Sequence, residues 1–257
     1  MLQTILEHKT IRKYKPDSVS QNLLNEILEA GTRASTTGNM QVYSIIVSQK
    51  QETKDKLWEC HFKQNMVKQA PIVLTFCADF NRFNKWCELR EAQPGYDNFQ
   101  SFFTAAIDAL LVAQNVALAA EANGLGICYL GTTTYLTNQI IEVLNLPKGV
   151  VPITTLTIGY ADENPPQAER LPLSGVVHYE TYCDYSSQQI DEIYKEKEAL
   201  EVNQKFVREN NKQTLAQVFT DVRYTKQNNE TFSKLFLEAI KRQNFSIENC
   251  LEIKTSK

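Results

Sequence analysis

The chain has 257 residues, of which 42% are hydrophobic and 22% are charged, and its formal net charge is -3 at neutral pH. These values are typical of a globular protein with a sizeable core, and they exclude the disordered, collagen-like and disulfide-scaffold classes. Because the charge is nearly balanced, no broad electrostatic field is available to attract nucleic acid or an anionic membrane, and we expect neither partner.

The first predicted element is a helix over residues 20–33, where apolar side chains recur at helical spacing behind Ser20, a candidate N-cap. Short runs rich in β-branched residues and bounded by turn residues predict four buried strands. The strands are predicted over residues 42–48, 71–79, 126–131 and 151–162.

Residues 99–123 are rich in alanine and apolar on most faces, which predicts a long central helix that is buried nearly all round and stops at Asn123. Its most apolar stretch, residues 109–120, is too short to cross a bilayer, so membrane insertion is not expected. Another helix is predicted over residues 137–145, with Thr137 as its cap.

Charge is distributed unevenly along the chain. Residues 99–160 contain four charged side chains, whereas residues 186–257 contain 23. This contrast predicts a core section followed by two or three amphipathic helices that form an accessory layer. We therefore predict a main domain over residues 1–180 and a helical C-terminal extension over residues 181–257, which packs either on the same domain or on a second subunit.

The cysteines and histidines do not form a metal-binding pattern, because the six cysteines include no CxxC pair and only three histidines are present. We therefore predict no metal site. The N-terminal segment lacks the apolar block of a signal peptide, so a cytoplasmic location is expected.

Two polar segments near the N-terminus could bind a ligand. Residues 8–13, HKTIRK, combine cations with a hydroxyl and an imidazole, which suits a phosphate group; the alternative is a solvated basic turn. Residues 34–41, ASTTGNMQ, supply uncharged hydrogen-bonding groups that suit a polyol or an amide-bearing ring. The alternative for this second segment is an ordinary loop.

Two further segments lie later in the chain. Residues 123–132 stop a helix and then form a strand ending in glycine, which is the reverse of the dinucleotide-binding order, so a Rossmann site is rejected. Gly131 at that strand end could let backbone N–H groups approach a flat ligand. Arg170 follows a proline-rich connection and could contact a ligand. The alternative is that Arg170 is an ordinary surface residue.

Together these segments resemble the FMN-dependent nitroreductase family, in particular its larger NADPH-using, oxygen-insensitive branch. The resemblance rests on HKTIR at 8–12, the loop at 34–41, Gln64, GLGICYLG at 124–131 and NPPQAERLP at 164–172. The chain departs from the family pattern at Lys9, Thr10 and Ala168, the last being a position where the family tends to have lysine.

The resemblance implies an α+β homodimer with a central mixed β-sheet flanked by helices, a long buried central helix, a helical C-terminal extension, and FMN at the subunit interface. His8, Lys9, Thr10 and Arg170 would hold the FMN phosphate, and Arg12 would lie near the ribityl chain or pyrimidine ring. The polar contacts would come from Ser35, Thr36, Thr37, Asn39, Gln41 and Gln64. Backbone groups facing flavin N5 and O4 would come from Tyr129, Leu130, Gly131 and Thr132.

The implied activity is hydride transfer from NADPH or NADH, through FMN, to a small-molecule electron acceptor such as a nitroaromatic, a quinone or a flavin, by ping-pong exchange. No protein nucleophile is required, and Arg12 would tune the flavin. Two alternatives stay open: another enzyme on the same fold, such as an ene-reductase or dehalogenase, and a flavin-binding module without turnover.

A separate segment is the candidate for binding the electron donor, NADPH or NADH. Residues 205–212 contain three cations before a helix predicted to start near Thr214, which indicates a mobile polar loop. In the branch that the chain resembles, a tail loop with an arginine and paired asparagines approaches the nucleotide, a pattern matched by Arg208, Asn210 and Asn211. Arg208 and Lys212 are therefore candidates for the 2′-phosphate of NADPH, and the alternative is a solvated helix end.

Overall fold

The structure is a computed structural model, and it describes residues 2–247. Its sheet contains all four predicted strands, namely β1 (Tyr43–Ser48), β2 (Ile72–Asp79), β3 (Gly126–Leu130) and β4 (Val150–Gly159). They are arranged in the order β1-β2-β4-β3, and each neighbouring pair is antiparallel. β1 and β3 are therefore the two edges of the sheet.

The α+β architecture is confirmed, but the expectation of a mixed sheet is wrong for the strands described. β1 runs in the same direction as β4, and β2 in the same direction as β3, yet these are second neighbours and do not pair. Among residues 2–247, parallel pairing is limited to isolated bridges, one of which joins Thr10 to Ile127 of β3.

The first predicted helix is confirmed as α2 (Gln21–Thr32), preceded by the short α1 (Leu2–Leu6). The Ser20 hydroxyl accepts a hydrogen bond from the backbone N–H of Leu23, as expected of an N-cap. Gly31 lets α2 approach the central helix α6 (Phe99–Ala122) closely, because a Cβ atom there would lie 2.3 Å from Val116 Cγ2.

The central helix α6 is buried on one side only, so the prediction of burial nearly all round is wrong for the single chain. Its opposite side carries a stripe of large apolar residues that are 39–50% exposed. The stripe consists of Phe99, Phe103, Ile107, Leu110 and Leu111.

Helix α6 is longer than the apolar stretch over residues 109–120 that was judged too short to cross a membrane. With 24 residues it is long and apolar enough to do so by length and composition. Half of its most apolar window is buried inside the fold, which is also found in the core helices of globular proteins.

Three short helices between β1 and α6 were not predicted from the sequence: α3 (Gln51–Cys60), α4 (Asn65–Gln69) and α5 (Asn81–Glu88). After β3, helix α7 spans Thr137–Val143, two residues shorter than predicted. Thr137 is not its cap, because its hydroxyl donates to the carbonyl of Thr133 (3.1 Å) from inside the helix. Leu136 is the N-cap residue instead.

The chain divides into two compact units. The first comprises the described residues up to Gln167 together with those from Phe232 onward, and the second comprises Ala168–Thr231. The sequence placed one boundary after residue 180, which lies inside the second unit. Because the chain returns to the first unit at Phe232, the charged C-terminal part is divided between the two units.

The second unit contains α8 (Ser187–Ala199), α9 (Glu201–Glu209) and α10 (Leu215–Val218), and α11 (Lys226–Arg242) begins in it. The mobile loop predicted over residues 205–212 is wrong for its first half, because α9 extends to Glu209. The helix start near Thr214 is confirmed, since Thr214 caps α10 in a reciprocal capping box with Gln217.

Candidate functional site

The basic N-terminal segment lies along the β3 edge of the sheet. The backbone N–H of Ile11 donates to the carbonyl of Ile127 (2.8 Å), and Thr10 forms a bridge to the same residue. Gly126 permits this approach, because a Cβ there would lie 2.6 Å from Ile11 Cγ1. Two segments that the sequence singled out separately, residues 8–13 and 123–132, are thus brought together.

Acidic and amide groups fix the conformation of the basic segment. His8 Nδ1 lies 2.6 Å from Glu121 Oε1, and Lys9 Nζ donates to Asn164 Oδ1 at 2.9 Å. Glu163 accepts the backbone N–H of Arg12 (2.5 Å) and of the following residue (3.0 Å). Glu163 therefore holds the backbone at residues 12 and 13, whereas the side chains of His8 and Lys9 are oriented by Glu121 and Asn164.

The Arg12 guanidinium is exposed and makes no hydrogen bond or ion pair within residues 2–247. Its charge nevertheless acts on β3: burial raises the pKa of the Cys128 thiol, and the positive charge of Arg12 partly opposes that rise. The Glu163 carboxylate acts in the opposite direction and reinforces the rise, so a positive and a negative charge lie side by side at this edge.

A second polar cluster joins Gln64, His61 and Thr132 in the first unit. His61 ends α3, Gln64 precedes α4, and Thr132 lies in the 3₁₀ turn after β3. Gln64 Nε2 donates to the His61 carbonyl (3.1 Å) and to Thr132 Oγ1 (3.3 Å), while His61 Nδ1 lies 2.8 Å from that same hydroxyl oxygen.

His61 is fully buried, and burial lowers the pKa of its imidazole to about 4. It is therefore neutral at physiological pH. The sequence analysis predicted Gln64 and Thr132 as site residues but missed His61. Its position three residues before Gln64 was the available signal, although spacing alone did not distinguish it from any other histidine.

The 3₁₀ turn Gly131–Thr134 presents backbone groups at the end of β3. Thr133 anchors the turn, since its hydroxyl donates to the Leu130 carbonyl (2.8 Å) and lies 3.0 Å from Thr155 Oγ1. Gly131 is exposed, and a Cβ built there would meet no atom within 4 Å. The turn is therefore held by the Thr133 hydroxyl, with open space in front of Gly131 where a flat ring could approach. Tyr129 of β3, two residues before Gly131, is half-buried, and this burial raises the pKa of its phenol.

The loop over residues 34–41 lies at the opposite edge of the sheet, leading into β1. Asp108 of α6 is 1% exposed, and its two carboxylate oxygens accept the backbone N–H groups of Thr37 (3.0 Å) and Val42 (3.3 Å). Arg82 of α5 donates to the carbonyls of Gln41 and Tyr43. Neither Asp108 nor Arg82 was predicted as a site residue from the sequence.

This loop contains three residues in the left-handed backbone region: Gly38, Asn39 and Gln41, with φ angles of 57°, 54° and 53°. Gln41 Nε2 donates to Asn39 Oδ1 (3.2 Å), and the side chains of Ser35 and Thr37 are exposed, whereas Thr36 is half-buried. Beside the loop is a pocket of about 550 Å³. It is lined by Gly38, Asn39, Met40, Arg82, Phe83 and Trp86.

The predicted site residues of the first unit therefore form two groups at opposite edges of the sheet. One group lies along β3 and the other leads into β1. Three strand spacings separate these edges, roughly 14 Å.

The remaining predicted contacts belong to the second unit. The Arg170 guanidinium donates to the carbonyls of Ala168 (3.2 Å) and Glu169 (2.9 Å) beside it. Arg208 pairs with Glu201 at 2.5 Å, and Lys212 pairs with Asp221 at 2.9 Å. Their phosphate contacts stay predictions. Within residues 2–247, no group of three or more His, Cys, Asp or Glu side chains is arranged to hold a metal ion.

Comparison with known proteins places these groups in a family context. The family described as the Nitroreductase family matches residues 5–160. A Bacillus subtilis (strain 168) protein named FMN reductase [NAD(P)H] is 34% identical over 186 residues, covering 72% of this chain and 75% of the relative.

Two solved structures resemble the whole chain. One from Bacteroides fragilis NCTC 9343 has a TM-score of 0.94 and 53% identity, covering 95% of this chain and 99% of its own. The NADPH:FMN oxidoreductase from Vibrio harveyi, complexed with NAD⁺, has a TM-score of 0.77 and 25% identity, covering 95% of this chain and 97% of its own.

Proposed function

The chain belongs to the nitroreductase family, and we propose that it is an oxidoreductase that binds FMN and passes hydride from NADPH or NADH to a small-molecule electron acceptor. The observation that carries the proposal is the β3 edge, where the basic segment, the Gln64 cluster and the open backbone at Gly131 lie along one strand. The names of the B. subtilis and V. harveyi relatives support the same cofactor and donor.

The donors and acceptors at this edge fit the parts of FMN. A phosphate needs cations and hydroxyls, which His8, Lys9 and Thr10 supply, with Arg170 as a further predicted contact. A flat ring needs open space with backbone and amide groups at its rim, which the turn from Tyr129 to Thr132 and Gln64 supply. The pairing of His8 with Glu121 leaves its second ring nitrogen for a ligand.

When bound, FMN supplies the hydride acceptor and donor of the reaction. The chain supplies orientation and charge. The exposed Arg12 provides a permanent positive charge, which stabilises negative charge that develops on a bound ring, and rigid backbone N–H groups contribute in the same way. Nitroaromatics, quinones and flavins are the proposed acceptors, taken up after the oxidised nucleotide leaves in a ping-pong cycle.

We further propose that the working form is a homodimer. The α6 stripe leaves five large apolar residues uncovered on the single chain, and contiguous exposed apolar surface of this kind marks an interface. Loop 34–41 and the β3 edge lie at opposite edges of one sheet, so a second copy is the simplest source of loop contacts to a cofactor at β3. Obligate interfaces typically bury about 2,000–5,000 Å².

Discrimination between NADPH and NADH is proposed to involve Arg208, with Lys212. Both side chains are already ion-paired, but Arg208 is 60% exposed, and exposed pairs are worth only about 0–1 kcal/mol. A nucleotide phosphate can therefore replace the Glu201 carboxylate at small cost.

The function is tested with purified protein. We expect about one FMN per chain, released by acid precipitation, and bleaching of the flavin spectrum on anaerobic addition of NADPH. Protein that cannot be reconstituted with FMN would rule out the proposal. Protein that binds FMN but does not oxidise NADPH or NADH would identify a flavin-binding module instead.

A further inference from the structure

His61 is a buried polar residue with a clear asymmetry between its two ring nitrogens. Nδ1 lies 2.8 Å from Thr132 Oγ1, whereas Nε2 is buried and has no hydrogen-bond partner within residues 2–247. Burial also keeps the imidazole neutral, because its pKa is lowered to about 4. A neutral imidazole carries a single N–H, so the proton occupies one nitrogen or the other.

The surroundings favour the tautomer with the proton on Nδ1. A proton on Nε2 would leave a buried N–H group without an acceptor, and such groups are rarer in proteins than under-satisfied acceptors. A proton on Nδ1 instead donates to Thr132 Oγ1 and leaves only a lone pair on Nε2.

This tautomer determines which hydrogen bonds the Thr132 hydroxyl can still make. Its oxygen then accepts two hydrogen bonds, one from His61 Nδ1 and one from Gln64 Nε2. A hydroxyl has two acceptor sites and one hydrogen, so both acceptor sites are filled and only the hydrogen remains available. Gln64 is left with a free acceptor instead of a free donor. Its amide nitrogen donates two hydrogen bonds, and its carbonyl oxygen makes no hydrogen bond within residues 2–247.

We propose that His61 is a positioning residue that makes Thr132 an obligate hydrogen-bond donor beside the Gln64 carbonyl acceptor, a pair that matches the adjacent C4=O4 and N3–H groups of the isoalloxazine ring. The inference rests on the proposed function, since FMN supplies the matching edge. His61 touches no ligand itself and acts only through the orientation of the Thr132 hydroxyl.

The tautomer can be measured directly by long-range ¹H–¹⁵N correlation on FMN-loaded protein labelled with ¹⁵N-histidine. The chain has three histidines, and the His61 signals are those absent from the His61→Asn variant. We expect the Nδ1–H pattern. The Nε2–H pattern, or a doubly protonated ring at pH 7, would overturn the proposal without any reference to activity.

Affinity for FMN, measured by flavin fluorescence titration, tests the role of the hydroxyl. His61→Leu and Thr132→Val each remove one link, and we expect each to weaken FMN binding about three- to tenfold, as for loss of one hydrogen bond. The double variant should be no weaker than either single variant, because both act on the same bond. Additive losses would overturn the proposal.

Conservative variants separate positioning from packing. Asparagine can place a donor where Nδ1 lies, so His61→Asn and Thr132→Ser should bind FMN nearly as tightly as wild type. An equal loss in His61→Asn and His61→Leu would assign His61 a packing role instead. If wild type binds FMN and His61→Leu binds it equally well, only this inference fails; if wild type does not bind FMN, the proposed function fails.

Discussion

The two edges of the sheet organise polar groups in different ways. At the β3 edge, the groups hold one another: Gln64, His61 and Thr132 share one hydroxyl oxygen. At the β1 edge, the loop over residues 34–41 is held from outside, by Asp108 of α6 and Arg82 of α5.

The polar groups at the β3 edge therefore form a connected network within one chain. The loop at the β1 edge instead offers exposed side chains that can contact another molecule. The β3 edge has a network of linked side chains, leaves the Gln64 carbonyl oxygen and the Thr132 hydrogen for a ligand, and has open space at Gly131, as expected of a ligand-binding surface. The β1 loop has its backbone fixed and most of its side chains exposed, which suits a contribution to a neighbouring protomer's site.

The largest expected effect tests the proposed homodimer. Leu110→Glu places a charge in the middle of the α6 stripe, so we expect a monomer in sedimentation velocity. FMN affinity should fall roughly a hundredfold, because several loop contacts of about 1 kcal/mol each are lost together. Leu89→Glu, at an exposed leucine outside α6, is the matched control. A monomeric Leu110→Glu protein with wild-type FMN affinity would show that the two edges do not cooperate.

The next effect is acid destabilisation through His61 at the β3 edge. The folded-state pKa of about 4 lies below the unfolded value of 6.5, so the unfolded chain takes up the proton first as pH falls. The contribution to stability is present above pH 6.5 and is lost towards pH 4, reaching about 3 kcal/mol. Urea unfolding at pH 7 and pH 4.5 should show a steeper loss for wild type than for His61→Asn, and equal losses would contradict the assignment.

Arg12 tests the charge at the β3 edge. Arg12→Ala should weaken FMN binding and slow flavin reduction by tenfold to a hundredfold, because a charge-assisted hydrogen bond contributes about 1.5–3 kcal/mol. Lys15→Ala, at an exposed cation just beyond the basic segment, is the control. Stopped-flow reduction with NADPH and FMN titration check the prediction. Wild-type values for both would remove Arg12 from the site.

Asp108 tests the support of the β1 loop. Asp108→Asn keeps one acceptor oxygen but turns an NH₂ group towards a backbone N–H, so we expect a loss of about 1–2 kcal/mol in the free energy of unfolding. FMN affinity should fall together with it, if the loop contacts the cofactor. Gln100→Ala, at an exposed position of α6, serves as the control. Unchanged stability would mean that the loop holds its shape without this carboxylate.

The smallest effect is expected at Arg208 in the second unit. Arg208→Ala should raise the KM for NADPH by no more than about fivefold, as for an exposed ion pair, and leave the KM for NADH unchanged. Added salt should erode the wild-type preference, because the Debye length is about 8–10 Å at 0.1–0.15 M. Lys205→Ala, on the same helix, is the comparison variant. Equal changes with both nucleotides would exclude a 2′-phosphate contact.

Local patterns predicted much of the secondary structure. The four strands and α2 lie within three residues of the predicted bounds, because β-branched runs and helical spacing are properties of neighbouring residues. The short helices α3, α4 and α5 were missed. Short helices depend on the packing of a few side chains against the rest of the fold, and that packing is not visible in a local window.

The prediction of site residues depended in the same way on local sequence. Gln64 and Thr132 were found through family-like motifs, but His61 and Asp108 were not, because each makes its decisive contact with a residue 71 positions away in the chain. Pairings over such a distance arise from topology.

By itself, the sequence determined which groups were available: four strand-forming runs, a long apolar helix, and polar segments with the donors and acceptors of a cofactor site. The tertiary structure decided which of them meet. It placed residues 8–12 against β3 and loop 34–41 before β1, so the predicted contacts divide between two edges. It also left one side of α6 exposed. Periodicity reports that a side chain is apolar, but burial depends on which surface covers it, and that is a property of the assembled chain.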